Sequence, residues 1–535
     1  MPKAKKKAKP QPQSAAKRSQ PAAAKPTAQK ARRPRQAIFI MVDSQRWDMV
    51  NCYRQTGLLT PCLDRLAAAG VRYERAYDCQ PLCGPARSAL FTGTWPHSNG
   101  SWSNELPLGA GVRNLGELLQ RAKVDTGYIG KWHLDASDYF GRGQAAPGWD
   151  PKAWYDMRNY LEELTPEDRV RSRRQKTIAE DPPDDFCFGH RVATRAQDYL
   201  ADHAGKEFFL TVSFDEPHGP YLCPKRFHDQ YKDFSFPRSP NIDDDLHDKP
   251  EHLKKWSDGL PQWSGATPKN DPSQWSTAQP AFYGCNGFVD MEIGRVLDAI
   301  DRHCPDALVI YTSDHGHMQL SHRLYIKGPA MFDEITRIPF IVRWPGHAPE
   351  GVVAPGPVSH IDLTPTILDF FGAAIPETIE GRSMLESIRD PRQPAHDIVF
   401  CEYGRYGLAH DGFAGFQPIR CAIDGRYKLV VNLLETDEFY DMQADPGEMV
   451  NRIADPATAA QRDRLHDALL EWQYRTRDPM RTWRWERRPW RTGLPPIKDW
   501  HYTGRDLNFV HAPDDGPEIL DYDTGLPLKQ HDRRM

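Results

Sequence analysis

A cysteine, a proline and an arginine stand together in Leu82-Cys83-Gly84-Pro85-Ala86-Arg87-Ser88-Ala89-Leu90-Phe91-Thr92-Gly93, at the point where a helical pattern begins. Proline at the first position of a helix forfeits no hydrogen bond, because the first N–H groups have no partner within the helix. Those free N–H groups and the positive end of the helix dipole favour an anion. Cys83 is thus placed where a negatively charged group is stabilised, and Arg87, one turn on, adds a fixed cationic fork. Taken alone, Cys-x-Pro more often marks a buried structural cysteine ahead of an ordinary amphipathic helix, so the residues elsewhere decide.

Two further sets have chemical potential. Asp43 lies near the start and Asp314-His315 far downstream. Hard divalent cations take oxygen ligands, so an aspartate-rich set suits magnesium or calcium better than zinc. The cationic set is Arg87, Lys131, His133, His218 and Lys327, which together could surround a small tetrahedral anion whose charge grows during ester cleavage. Charges positioned in advance stabilise such a transition state. Singly, each lysine reads as a solvated surface residue and each histidine as a structural one.

What would bring them together is a parallel sheet. Residues 37–42 form a wholly apolar run ending in Asp43, as in a strand buried on both faces. The pattern repeats: 127–130 leads into Lys131-Trp132-His133, 208–214 into Asp215-Glu216-Pro217-His218, and 307–312 into Ser313-Asp314-His315-Gly316. In open α/β sheets the ligand crevice lies outside the carboxyl ends of the strands, where each of these runs delivers its polar residues. Helical patterns fill the intervals, from Thr60-Pro61 to Gly70, through Val289, Ile293, Val296, Leu297 and Ile300, and from Thr364-Pro365 to Gly372. The alternation predicts an α/β domain over 37–395, with a large, mostly parallel central sheet flanked by helices. Residues 419–423 and 426–433, joined by Asp424-Gly425, predict a hairpin in a smaller C-terminal region over 396–475, with a short antiparallel sheet. Leu465, Leu469 and Trp472 mark a helix there. An arm over 476–535 follows, with Trp483, Trp485 and Trp490 among arginines, suited to packing across its own chain or to a homo-oligomer interface.

Cys83-x-Pro85-x-Arg87 followed by Leu90-x-Thr92-Gly93 resembles the signature of the type I sulfatases of the alkaline-phosphatase-like superfamily, in which this cysteine is converted to formylglycine by dedicated machinery. Gly130-Lys131-Trp132-His133-Leu134, Pro217-His218-Gly219-Pro220, and Asp314-His315-Gly316 with Lys327 downstream match further family motifs in the family's order. The resemblance implies an alkaline-phosphatase-like sandwich. It also implies one divalent metal, calcium (Ca2+) with magnesium (Mg2+) or manganese (Mn2+) as alternatives, held by Asp43, Asp314, His315 and the modified Cys83. By the same resemblance Lys131 and Lys327 bind sulfate, Arg87 holds the formylglycine hydrate, His218 protonates the leaving alcohol and His133 takes the proton that lets the captured sulfate leave. Asn104 resembles a further substrate contact. A hydrated aldehyde has two hydroxyls on one carbon, so one can attack an ester and the other can later expel the captured group, a step closed to plain cysteine or serine. The chain departs from the family after Asp43: Ser44-Gln45 stand where a second aspartate is common, leaving Ser44, Gln45 or water to fill the place. The likeness covers about 37–382, returns at Phe439-Tyr440-Asp441 and Asp445-Pro446, and fades beyond 451. Two alternatives share part of the set: a phosphonate monoester or phosphodiester hydrolase of the same superfamily, and a non-catalytic binder of sulfated polymers. Lys131, His133 and Lys327 favour a sulfatase.

The chain has 535 residues, 39% of them hydrophobic and 27% charged, enough for one large core or two unequal ones. Residues 1–36 carry 12 basic residues and no acids and read as a disordered tail. Set against a formal net charge of −4, those 12 positive charges leave −16 on the remainder, which does not favour nucleic acid as a partner. Ten scattered cysteines make no disulfide framework, so reduced thiols and a cytoplasmic protein are expected. No run approaches the ~20 apolar residues of a membrane span. The expected partners are a small-molecule or saccharide sulfate ester and the formylglycine-generating machinery. Trp149, Trp154, Tyr155, Tyr160, Trp256, Trp263 and Trp275, in the loops 149–174 and 233–275, suggest platforms for pyranose rings and hence a carbohydrate sulfate.

Overall fold

A computed structural model describes residues 34–135, 139–264, 276–408 and 415–492, without the side chains of 260–264. The basic tail to residue 33, the Trp263 side chain, Trp275 and the arm beyond 492 lie outside the described residues. Eight strands form the main sheet: β1 (Gln36–Val42), β2 (Val71–Tyr77), β3 (Asp125–Gly130), β4 (Trp154–Tyr155), β5 (Phe208–Ser213), β6 (Leu308–Ser313), β7 (Phe340–Arg343) and β8 (Val352–Ser359). Their order is β4-β3-β5-β1-β6-β7-β2-β8. Only β7 runs antiparallel to its neighbours, β6 and β2; the other pairings are parallel.

β1 shows why the apolar run occupies the centre. Successive side chains of a strand point to opposite faces. Ile38, Ile40 and Val42 join one core with helix α1 (Pro61–Ala68) and the helices Phe188–Asp202 and Pro280–His303. Ala37, Phe39 and Met41 join the other with α2 (Cys83–Thr92) and the helix Leu363–Phe371. Both faces are covered, so the strand has no polar side, and Gln36, assigned to the tail by composition, is its first residue.

The smaller sheet is antiparallel, ordered β12-β11-β10-β9, from β9 (Val399–Tyr403), β10 (Ile419–Ile423), β11 (Tyr427–Asn432) and β12 (Glu438–Asp441). Asp424 Oδ1 accepts from the N–H groups of Arg426 and Tyr427 at 2.9 and 2.7 Å, which builds the expected hairpin turn. One face of the sheet packs on Leu465 and Leu469 of the helix Ala459–Arg475, with Trp485 of the arm in the same core. Arg488 donates twice to Asp437, at 2.7 and 2.9 Å, and Trp490 Nε1 donates to the same carboxylate at 2.7 Å. To residue 492 the aromatic and arginine-rich arm therefore packs on its own chain.

Among the described residues the loop aromatics do not form the exposed platforms expected of them. Trp149, Tyr155, Tyr160 and Trp256 are all buried. Trp149 packs among Phe91, Tyr128, Trp132 and Phe209, and Trp154 stacks on Tyr128 at 5.1 Å. Such rings bring a large apolar area whose burial outweighs exposure, and sequence position in a loop does not decide which applies. All ten cysteines are free. Among the described residues no helix is long and apolar enough to cross a membrane.

Candidate active site

Helix α2 starts at Cys83 itself, with Leu82 as its N-cap, so Pro85 is the third helical residue and not the first. Its missing N–H still falls among those without an intrahelical partner, so the substitution of an imide costs nothing there. Every residue of α2 is buried. Asn104 Oδ1 accepts from the Gly84 N–H at 3.0 Å, serving the helix end; only its amide group is left for a substrate.

Adjacent parallel strands bring the acids together. Val42 and Ser313 are paired in the β1–β6 register, so Asp43 and Asp314, each one residue further on, emerge side by side. Ligand atoms of Asp43, Cys83, Asp314 and His315 all lie within 4.8 Å of one another, and all four residues are buried. Cys83 Sγ is 3.6 Å from Asp43 Oδ1 and 3.3 Å from His315 Nε2. Arg87 ties the cluster: Nε donates to Asp314 Oδ2 at 3.0 Å, Nη2 to Asp43 Oδ2 at 3.3 Å, and Nη1 to Ser213 Oγ and the Lys131 carbonyl at 2.9 and 2.7 Å. Lys131 Nζ lies 2.7 Å from Asp43 Oδ2 and 2.9 Å from Asp215 Oδ1. Lys327 Nζ lies 2.7 Å from Cys83 Sγ and 2.8 Å from His315 Nε2.

Burial opposes charge on both Asp43 and Cys83, and the surrounding cations overcome it. Lys131, His218, Lys327 and His315 hold the Asp43 carboxyl well below the usual carboxylate range. Burial and Asp43 push the Cys83 thiol up, yet Lys327, Lys131 and His315 bring it well below the ordinary thiol value. Asp314 is pushed up to about 6 by burial and by the adjacent Asp43. Two buried carboxylates, an imidazole and the residue 83 side chain converging on one point fit a divalent cation by donor chemistry, with the two carboxylates supplying oxygen donors. After Asp43, the Gln45 side chain is committed elsewhere: its Nε2 donates to Asn286 Oδ1 at 2.7 Å and its Oε1 accepts from the Tyr311 hydroxyl. Ser44 turns at φ 67°, donates its hydroxyl to Asp43 Oδ1 at 2.8 Å and its N–H to Asp314 Oδ1 at 3.1 Å.

His133 and His218 complete the expected set. His133, at φ 58°, is buried against Cys83, and burial pushes its pKa down. His218 Nδ1 meets the Tyr139 hydroxyl at 3.0 Å and the Gly219 carbonyl at 2.8 Å. Lys327 arrives on a segment with positive φ at Gln319, Leu320, His322, Arg323 and Ile326, a backbone course no periodicity announces. The structure thus gathers Asp43, Cys83, Arg87, Asn104, Lys131, His133, His218, Asp314, His315 and Lys327 at the carboxyl ends of β1, β3, β5 and β6. Three side chains that the sequence did not mark join them: Ser213, Asp215 and Tyr139. Asp215 had a signal, being in the same strand-end run as His218; Tyr139 had none.

A family model described as Sulfatase matches residues 35–373, and one described as N-sulphoglucosamine sulphohydrolase, C-terminal, matches residues 321–475. The uncharacterized sulfatase YidJ of Escherichia coli (strain K12) is 41% identical over 502 residues, covering 92% of this chain and 97% of its own length. Among solved structures, a protein in complex with its substrate D-glucosamine-2-N,6-O-disulfate is 21% identical with a TM-score of 0.69, over 84% of this chain and 99% of that one. Phosphonate monoester hydrolase of Agrobacterium radiobacter is likewise 21% identical, with a TM-score of 0.67 over 83% of this chain and 96% of that one. At such identities the two structures speak for the fold alone. The family model spans well over half the chain and YidJ aligns with nearly all of it, so the chain belongs to the sulfatase family, the hydrolases of sulfuric esters.

Proposed function

We propose that the protein hydrolyses sulfate monoesters of a carbohydrate, using Cys83 converted to formylglycine and a divalent cation, calcium before magnesium or manganese, held by Asp43, Asp314, His315 and residue 83. The observation that carries this reading is the pair of buried ammonium groups set against the Asp43–Cys83 cluster. Lys327 touches Cys83, and Lys131 is 2.7 Å from Asp43, so a sulfate at residue 83 would meet cations from two different strand-end loops. The C-terminal likeness to N-sulphoglucosamine sulphohydrolase and the glucosamine disulfate complex support a sulfated amino sugar as the first substrate to test.

Formylglycine at residue 83 supplies a geminal diol, one hydroxyl to attack and one to release the captured group. The bound cation supplies Lewis-acid polarisation and positive charge beside that residue. The chain's own groups do the rest. Arg87, donating to both Asp43 and Asp314, locks the two carboxylates in place. Lys131 and Lys327 meet the sulfate oxygens as their charge grows. His133, neutral because burial lowers its pKa, accepts a proton from residue 83 as sulfate departs. His218 gives a proton to the leaving alcohol.

The test compares a sulfate monoester with a phosphonate monoester bearing the same leaving group, so that alcohol acidity cancels. The wild type should prefer the sulfate. Lys131→Ala or Lys327→Ala should lower kcat/KM on it by about 3 to 4 kcal/mol, roughly a hundredfold to a thousandfold, as for the loss of one oxyanion donor. A wild type that prefers the phosphonate, with both variants barely changed on sulfate, would make the protein a phosphonate ester hydrolase.

A further inference from the structure

We propose that Asp215 and Tyr139 form a hydrogen-bonded relay that fixes His218 as the proton donor to the leaving alcohol, an inference that rests on the general-acid role given to His218 above. The Tyr139 hydroxyl lies 2.5 Å from Asp215 Oδ1 and 3.0 Å from His218 Nδ1, and so stands between the two. An ionised carboxylate only accepts, so the phenolic proton points to Asp215 and the phenolic lone pair faces the imidazole. The Gly219 carbonyl, 2.8 Å from the same Nδ1, is a second acceptor. Facing two acceptors, Nδ1 must carry a proton. The tautomer is thereby set, and Nε2 is the nitrogen that exchanges its proton with substrate.

Asp215 is suited to anchor such a chain. It is buried, and Lys131 at 2.9 Å and Arg173 at 3.8 Å keep it ionised. Its negative charge holds the Tyr139 hydroxyl proton, and through that hydroxyl fixes the orientation and tautomer of the His218 ring. In the transfer the Nε2–H bond breaks and an O–H bond forms on the ester oxygen, which keeps the electron pair of the breaking S–O bond. The imidazolium becomes a neutral imidazole still protonated at Nδ1, and Tyr139 and Asp215 keep their own protonation states. Tyr139 and Asp215 are therefore positioning residues; neither has to touch the reacting atoms.

Tyr139 allows a clean test because its ring and its hydroxyl do separate things. The ring covers Lys131 Nζ at 3.9 Å from its centroid and lies edge-on to His133 at 5.0 Å. Tyr139→Phe keeps both contacts and removes only the hydroxyl, and with it the hydrogen bonds to Asp215 and His218 that make the relay. The variant is assayed on two sulfate esters, one with an alkyl or sugar leaving group and one with an activated aryl leaving group, which needs little protonation. The expected result is a kcat roughly tenfold lower on the alkyl ester, a change within about twofold on the aryl ester, and an unchanged KM on both. In a His218→Ala background, Tyr139→Phe should add no further loss, because the two act as one unit. Equal losses on both esters, or losses that add to those of His218→Ala, would overturn the relay. Wild-type turnover of the aryl sulfate is read in the same assay, so a failure of the sulfatase reading shows as no turnover at all.

Discussion

Glu216 follows Asp215 in the chain and faces the other way, into the helix Phe188–Asp202. Its Oε1 accepts from the Gly189 N–H at 2.9 Å, while Oε2 is buried with no hydrogen-bond partner among the described residues. Burial first, and the charge of Asp215 second, push its pKa from an ordinary 4.5 up to about 7. A folded pKa above the unfolded one means that the fold prefers the protonated acid. The stability this contributes is full below about pH 4.5 and is lost as the pH rises through about 7. Glu216→Gln removes that loss, so its stability relative to the wild type should rise between pH 5 and pH 8 by up to about 3 kcal/mol, read from urea unfolding midpoints. The same difference at both pH values would contradict the assignment. Asp43, Asp314 and Lys131 were legible in the sequence because each directly follows a strand run. Glu216 and Tyr139 were not, because sequence order gives neither the direction in which a strand-end loop turns nor the neighbour it meets.

Between residues and whole sheets, the delivery of side chains depends on close backbone approach. Gly130, the last residue of β3, is paired with Ser213 of β5 and has φ 125°; a Cβ there would lie 1.8 Å from the Ser213 carbonyl oxygen. Gly130→Ala must therefore move the strand end that carries Lys131 and His133. We expect a loss of several kcal/mol in stability, seen as a lower Tm, and reduced kcat in the molecules that remain folded. Wild-type Tm together with wild-type kcat would contradict this. Runs of apolar residues placed β1, β3, β5 and β6 to within two residues at either end, because buried parallel strands read as continuous apolar stretches. β7 has four residues, β4 two, and β8 contains Pro355 and Pro357, so none carries a pattern long or regular enough to detect. Proline is tolerated in β8 because it is an edge strand.

At the scale of the molecule, the two sheets share a core. Tyr77, Leu82 and Met331 of the main domain pack with Val399, Cys401, Ile419 and Cys421 of the smaller sheet. Lys428 of β11 reaches across to Asp333 at 2.8 Å and is paired with Glu448 at 2.9 Å. Leu82 immediately precedes Cys83, so the smaller sheet buttresses the N-terminus of α2, where Cys83 stands. The α/β class was legible because strand and helix patterns alternate; three of the four motifs follow strand ends, and the fourth opens helix α2. The antiparallel insertion of β7 and the shared core were not, since both depend on contacts between distant segments of similar apolar character. The proposed conversion of residue 83 to formylglycine can be read by peptide mass spectrometry of active, full-length protein produced with the converting machinery. The aldehyde is expected at residue 83, with no turnover by Cys83→Ala; a fully active enzyme whose residue 83 is an unmodified cysteine would rule the conversion out.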